Sequence, residues 1–283
     1  VLKQNLGQHR VLVDQSLLSD SEAWNHQIRK VQGYEPVPLV RLSLLAAATF
    51  PQPDAALMMA GYSEPQLATA RQPLLNLMSI KYAILQTDQR IEPAGWKIIE
   101  QGTIPDEFVI RGSEAASIPY LILENTNPLP RAFLTGKTKP LNSHEQSPQI
   151  VDSIANMQPR NEVLLPQDLL PAGKRQTFKA AEILNTSPNQ LQIMAELDAP
   201  GYLILSDIFY PGWTARTNET DIPVLPADFS LRAIPLPAGK HQVQLTYDPP
   251  GFKIGRVITM TTLVITFILL IMSMRSPLKP QTD

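Results

Sequence analysis

Six aromatic residues are the part of this chain best suited to binding chemistry: Tyr202, Phe209, Tyr210, Trp213, Phe229 and Tyr247. Aromatic faces pack against sugar rings, and Trp213, just after the turn Tyr210-Pro211-Gly212, is placed to be exposed enough for it. The competing reading is that these rings fill the interior of a small β domain, and it weighs most for Tyr247, which alternates in phase with Val243 and Leu245. Arg131, beside Pro130, offers a planar fork to a phosphate or carboxylate, or else forms an ion pair at the surface or between domains. Trp213, Tyr210 and Arg131 are therefore the candidates for glycan contact.

The common catalytic patterns are missing. The sequence has no Asp-x-Asp for a metal-bound sugar nucleotide, no zinc-spaced histidine pair and no Gly-x-Ser-x-Gly elbow. Gly136-Lys137-Thr138 has the tail of a phosphate loop, but Arg131 stands where its first glycine belongs. His9, His26, His144 and His241 are scattered, and Asn185-Thr186-Ser187 and Asn218-Glu219-Thr220, which match glycosylation acceptors, read as polar turns. No catalytic residue, metal or cofactor is expected within these residues. There is no cysteine, hence no disulfide or thiolate chemistry. A formal net charge of −2 without a long basic run argues against a nucleic-acid partner.

The elements that must position these residues can be read from periodicity. With 27 prolines in 283 residues, about twice the usual share of about 5%, the chain favours short elements and defined turns. Arg10 to Val13 is strand-like, and the stretch from there to Lys30 is polar. A helix is expected from Pro36 and Pro38 through Ala46 to Ala48, ending before Pro51. A second begins near Glu64, is broken or kinked at Pro73 and resumes over Leu74 to Ser79. Strand-like runs follow at Tyr82–Leu85, Trp96–Ile99, Phe108–Ile110, Tyr120–Leu123 and Ala132–Leu134, so residues 1–136 read as an α+β domain. Residues 137–159 read as a linker with a short helix over Gln149 to Met157.

Beyond it the period changes to two. Leu191, Ile193, Ala195 and Leu197 share one face, as do Val243, Leu245 and Tyr247, which is what half-buried antiparallel strands require. Between them lie Tyr202–Ile208, Trp213–Thr217, Ile222–Leu225 and Ser230–Ile234, with turns at Ala199-Pro200-Gly201, Tyr210-Pro211-Gly212 and Pro237-Ala238-Gly239. Residues 160–250 are thus expected to form an all-β sandwich. Then Asp248 to Gly251 leads into Val257–Met274, an uncharged run bracketed by Lys253 and Arg256 and by Arg275 and Lys279. Its length suits a transmembrane helix, at the short end of the usual range of about 17 to 25 residues. A lipid-anchor signal would end in its apolar run, whereas here the polar tail Arg275 to Asp283 follows. Two basic residues on each side leave orientation unsettled.

An ordered set of segments resembles the C-terminal end of YfhO-type bacterial membrane proteins. It comprises GYEPVPLVRL at Gly33–Leu42, LLNLMSIKYAI at Leu74–Ile84, ENTNPLPRAFL at Glu124–Leu134, YLILSDIFYPGWTA at Tyr202–Ala215 and the run Leu231–Tyr247. The Thr217–Asp221 turn departs from the Asp-Gly turn usual there. The resemblance implies an extracytoplasmic region after many membrane helices, a last helix returning to the cytoplasm at residues 257–274, and a cytoplasmic tail at 275–283. It also implies kinship with GT-C-type glycosyltransferases that use lipid-linked sugars, with the catalytic acids in a part upstream of Val1. The expected partners are the lipid bilayer and, through that upstream half, an envelope glycan or polyprenyl-linked sugar. The competing expectation is a tail-anchored, non-enzymatic adaptor or glycan-binding module.

Overall fold

The computed structural model describes residues 2–13, 17–31, 39–50, 64–105, 117–141, 147–218 and 220–275. The expected strand Phe108–Ile110, the prolines at 36 and 38 and His144 lie outside these residues. In chain order the first part holds α1 (Leu2–Leu6), β1 (Arg10–Val13), α2 (Asp20–Asn25), α3 (Val40–Thr49), α4 (Glu64–Thr69) and α5 (Gln72–Leu77). It continues with β2 (Ile80–Leu85), β3 (Trp96–Pro105), β4 (Ser117–Asn125) and β5 (Ala132–Thr135). Helix α2 falls in the stretch read only as polar. Its signal is a capping box, with Ser19 Oγ accepting the Glu22 N–H and Glu22 Oε2 accepting the Ser19 N–H. Pro73 does not kink a helix. The break falls at Ala70–Arg71, and Pro73 sits in the first turn of α5, where no N–H is needed.

Strands β1 to β4 form one sheet in the order β1-β2-β4-β3, with β1 parallel to β2 and the other pairs antiparallel. Asn125, at the end of β4, ties it to α5. Its Nδ2 donates to Asn76 Oδ1 and Ile80 O, both at 2.8 Å, while its Oδ1 accepts from Gln72 Nε2 and the Asn127 N–H. All four hydrogen-bonding positions of a buried amide are thus filled.

After this come β6 (Thr138–Pro140), α6 (Ser147–Ala155), β7 (Val163–Leu165), β8 (Lys179–Ala180), β9 (Glu182–Ser187), β10 (Gln190–Leu197) and β11 (Gly201–Leu205). The chain closes with β12 (Trp213–Thr217), β13 (Thr220–Ile222), β14 (Leu225–Ala227), β15 (Leu231–Leu236), β16 (Gly239–Tyr247) and α7 (Pro250–Arg275). Two five-stranded sheets, β13-β12-β16-β10-β9 and β14-β15-β11-β5-β8, make an antiparallel sandwich. Their shared interior holds Leu191, Ile193, Ala195, Val243 and Leu245 from one sheet against Leu134, Leu203, Leu205, Ile234 and Leu236 from the other. The turn glycines Gly212 and Gly239 take φ of 107° and 123°, which side-chain-bearing residues avoid. The run expected as one strand at Ile222–Leu225 is divided. Pro223, which cannot donate to a ladder, lets β13 and β14 pair in opposite sheets.

Strand β5, from the segment read as part of the first domain, pairs along its length with β11. One face of its sheet fills the sandwich. The other face, with Phe133, Tyr202, Ile204 and Ala233, joins a core that reaches Leu45, Leu74, Leu77 and Leu123 on α3, α5 and β4. Every residue of β11 is consequently buried, and its sequence is an unbroken apolar run rather than an alternating one.

Helix α7 is the membrane helix. Its span Gly251–Ser273 has a mean hydropathy of 2.2 with none of it buried, and Phe252, Ile258 and Phe267 are 60–66% exposed. At about 1.5 Å per residue it crosses a hydrocarbon layer of about 30 Å. Thr259, Thr261 and Thr262 each donate to the carbonyl four residues back, at 2.8–2.9 Å, so their hydroxyls need no water.

Asp228 stitches β7 to the sandwich. Its N–H donates to Leu164 O and its Oδ1 accepts the Leu164 N–H, both at 2.8 Å, and the residue is buried. Burial pushes the carboxyl up to about 7; the Leu164 N–H opposes this and the Glu162 carboxylate adds to it. The neutral side chain therefore favours folding fully below the ordinary value of 3.8, and that advantage is lost as pH rises through about 7. Asp228→Asn keeps the acceptor and removes the titration. It is expected to flatten the fall in Tm between about pH 4 and about pH 8. Melting curves with the wild-type slope would show that ionisation at this position does not govern the joint.

Candidate functional site

The loop Ser206–Gly212 leaves β11 and turns into β12, and three segments distant in sequence converge on it. Asp207 lies near its start, two residues past Leu205, the last apolar position of β11. Arg131, just before β5, grips it with two hydrogen bonds, Nε to Oδ1 at 2.9 Å and Nη2 to Oδ2 at 2.8 Å. Arg10, at the start of β1, donates Nη2 to Oδ1 at 2.5 Å, and its Nη1 donates to Ser206 Oγ and Met78 O, each at 2.9 Å. The side chains of Arg10, Arg131 and Asp207 are 15%, 11% and 10% exposed, so the pairs are largely withdrawn from water.

Burial pushes the Asp207 carboxyl up, but Arg10 and then Arg131 overcome this and hold it far below the usual carboxylate range. Two further arginines lie within electrostatic reach. Arg29 feels Arg131, Arg10 and Asp207. Burial brings Arg232 down to about 10 despite the pull of Asp207. The Arg232 Nε donates to Ile208 O at 3.0 Å, and its guanidinium lies 3.9 Å from the centroid of the Trp213 ring. Its Nη1 is buried without a hydrogen-bond partner.

The aromatic residues separate into three groups. Tyr202 is in the core, its hydroxyl donating to Asp168 Oδ1 at 2.9 Å and accepting the Leu169 N–H. Phe209 and Phe229 hold the Arg41 guanidinium at 5.2 and 4.7 Å from their centroids. Trp213, Tyr247 and Tyr210 form the third, with centroids 5.3 Å apart for Trp213–Tyr247 and 6.4 Å for Tyr210–Tyr247. Tyr210 is 45% exposed, and Trp213 is half-buried against the sandwich interior. Trp213 also lines an open groove of about 520 Å³ with Ala215, Arg216, Asp221, Ile222 and Val224.

The remaining sequence candidates are dispersed. His9 Nδ1 meets Ser79 Oγ at 2.9 Å, and His241 Nε2 meets Pro237 O at 3.0 Å. Thr138 of the partial phosphate-loop pattern opens β6, and no helix begins there. Among the described residues no three His, Asp or Glu side chains converge as metal ligands would. Arg10, Arg29, Asp207 and Arg232 escape sequence reasoning. A carboxylate two residues after an unbroken apolar strand is the one signal that marks Asp207.

Comparison with known proteins agrees over the C-terminal third. Residues 163–259, from β7 through the sandwich into α7, match the family described as bacterial membrane protein YfhO. A stretch of 99 residues, 35% of this chain, is 27% identical to the uncharacterized protein YfhO of Bacillus subtilis and spans 12% of its length. The cryo-EM structure of arabinofuranosyltransferase AftD from Mycobacteria aligns with 49% of this chain and 8% of its own, at 13% identity. Its TM-score is 0.24, too low to bear on fold or function.

Two outcomes are expected from this geometry. Asp207→Asn strands two buried guanidiniums and should cost about 3 to 5 kcal/mol. The depressed carboxyl stabilises the fold above 3.8, its ordinary value, and this is lost as pH falls towards the folded value, so the deficit should shrink only in acid. Urea unfolding at several pH values measures it; an unchanged midpoint at neutral pH would show that the pairs contribute nothing net. Trp213→Ala, if the ring belongs to the interior, should cost about 3 kcal/mol, the lower end for tryptophan because the ring is half-buried. Normal melting with lost retention on immobilised glycans would instead make Trp213 a sugar platform.

Proposed function

We propose that this chain is the extracytoplasmic accessory region, with its following helix, of a multi-pass membrane glycosyltransferase-like protein that acts on lipid-linked sugars in cell-envelope glycan assembly. The observation that carries the reading is the continuous match of residues 163–259 to the YfhO family, which joins the sandwich and the membrane helix in one unit. The joint between them is short and ordered. Tyr247 ends β16, the Asp248 N–H donates to Gly212 O at 2.9 Å, and Pro250 begins α7, so the sandwich sits directly on the membrane surface.

In this reading sugar transfer takes place in a part of the whole protein beyond these residues, and the sandwich presents a glycan or a partner above it. Tyr210 is the solvent-facing contact. Trp213 supports it through the Tyr247 stack and borders the open groove, and Arg131 holds the loop in place through Asp207. The charge arrangement is compatible with either face of the membrane, so orientation rests on the family resemblance.

Protease added to intact spheroplasts carrying the membrane-inserted chain should remove residues 1–250 and leave the helix. Full protection would place the domains in the cytoplasm and overturn the assignment. The purified chain, given a polyprenyl-phosphate-linked sugar and a glycan acceptor, should transfer nothing. Transfer by this chain alone would sink the accessory role.

A further inference from the structure

Outside α7 only six large apolar side chains are exposed among the described residues: Trp24, Leu39, Val40, Leu169, Leu184 and Tyr210. Three of the six flank the loop that meets the membrane joint. Tyr210 is 45% exposed with its ring 6.4 Å from that of Tyr247, and the carbonyl of Gly212, two residues on, accepts the Asp248 N–H. Phe209, the residue before it, carries the Arg41 guanidinium on its ring, and its N–H donates to Ser230 O while Ser230 Oγ donates to Arg41 O. These contacts seat the start of α3 against the loop. They bring Leu39 and Val40 there too, the latter 68% exposed.

The height of this patch above the hydrocarbon follows from α7. The uncharged run Val257–Met274 has 18 residues, about 27 Å at about 1.5 Å each, against a core of about 30 Å. The shortfall is met by drawing Pro250–Arg256 towards the bilayer, since Arg256 keeps its guanidinium among the headgroups while the exposed Phe252 and Ile254 approach apolar surroundings. Those seven residues rise about 10 Å, and a headgroup layer is about 5 to 8 Å deep on each side. The first turn of α7 and the loop held against it therefore lie at headgroup level. Aromatic rings with one apolar and one polar end are favoured at that depth. Of the two basic residues there, Lys253 pairs with Asp248 at 2.6 Å, so apolar and aromatic contact outweighs net charge.

We infer that Leu39, Val40 and Tyr210 form a surface that rests in the headgroup layer beside α7, so that the sandwich leans on lipid on its α3 side. The occupant is the bilayer itself, because the patch continues the surface that α7 already gives to it. A glycan meets Tyr210 at this height only where it is itself anchored to a lipid, and that step alone rests on the function proposed above. The lipid contact stands in either orientation of the chain and without any glycan.

The chain has no cysteine, so single-cysteine variants can be labelled without further change. Tyr210→Cys, Val40→Cys and Ala238→Cys carry an environment-sensitive nitrobenzoxadiazole dye, each in the full chain in phosphatidylcholine nanodiscs. Ala238 is exposed just before the nine-residue β16, about 30 Å from the joint, and serves as the distant reference. A lipid with a nitroxide on its headgroup is expected to quench the labels at 210 and 40 several-fold more than that at 238, and aqueous iodide to quench them several-fold less. All three positions are exposed, and unchanged melting of each labelled variant checks that the fold is kept. Iodide quenching at 210 or at 40 equal to that at 238 would overturn the proposal. Quenching by lipid together with no retention on immobilised glycans would sink the glycan role of Tyr210 and leave this contact standing.

Discussion

The Asp207 carboxylate is the point at which the chain's separate parts are fastened. Arg10 comes from the first strand of the N-terminal sheet, Arg131 from the entry to the sandwich, and Asp207 from the loop that crosses between the sandwich's two sheets. Ion pairs this withdrawn from water add little net stability, because desolvation offsets most of the attraction. Their effect is on geometry. A bidentate arginine fork accepts a carboxylate in one orientation, so the three segments have one relative placement that satisfies all of them. A docking that buried one of these groups without its partner would be strongly disfavoured.

The placement matters because no hydrophobic boundary separates the two parts. The β5–β11–β15 sheet is covered on one side by the other half of the sandwich and on the other by the core built from α3, α5 and β4. Apolar burial is strong but carries little orientation, so two greasy faces can slide on one another at small cost. The Asp207 pairs at one edge supply the direction that the core lacks, and the stitch from Asp228 to Leu164 supplies another. The buried amide of Asn125 does the same within the first sheet.

This division explains what could be read from the residues alone. Local rules held for the alternation in β10 and β16, the glycines at the positive-φ turns and the uncharged helix with its threonines bonded internally, whereas the break expected at Pro73 fell at Ala70–Arg71. Where pairing spans long distances, local pattern says nothing. The sequence of β5 is strand-like in any setting, and only the fold makes it a neighbour of β11 some seventy residues later. Arg131 likewise reads as an arginine beside a proline until Asp207 is brought to it. The division of Ile222–Leu225 between two sheets was available from Pro223, since a proline at that point favours a crossing over an uninterrupted strand.

The loop that carries Asp207 also ends at the membrane. Gly212 has φ of 107°, and a Cβ there would approach Pro249 Cα to 3.0 Å, so the turn can lie against the start of α7 only as glycine. Seven residues, Ser206 to Gly212, therefore run from the arginine cluster to the first turn of the membrane helix. Their backbone is fixed at both ends, by Ser206 N–H to Arg131 O at 2.9 Å and by Gly212 O to the Asp248 N–H. Between these ends the Phe209 N–H donates to Ser230 O at 2.7 Å, so the loop is held along its length. Arg232, whose Nε donates to Ile208 O of this loop, rests on Trp213, and the strand partner of Trp213 is Tyr247, the last residue before the joint. The same loop thus joins the buried ion pairs at Asp207 to the residues that lead into α7.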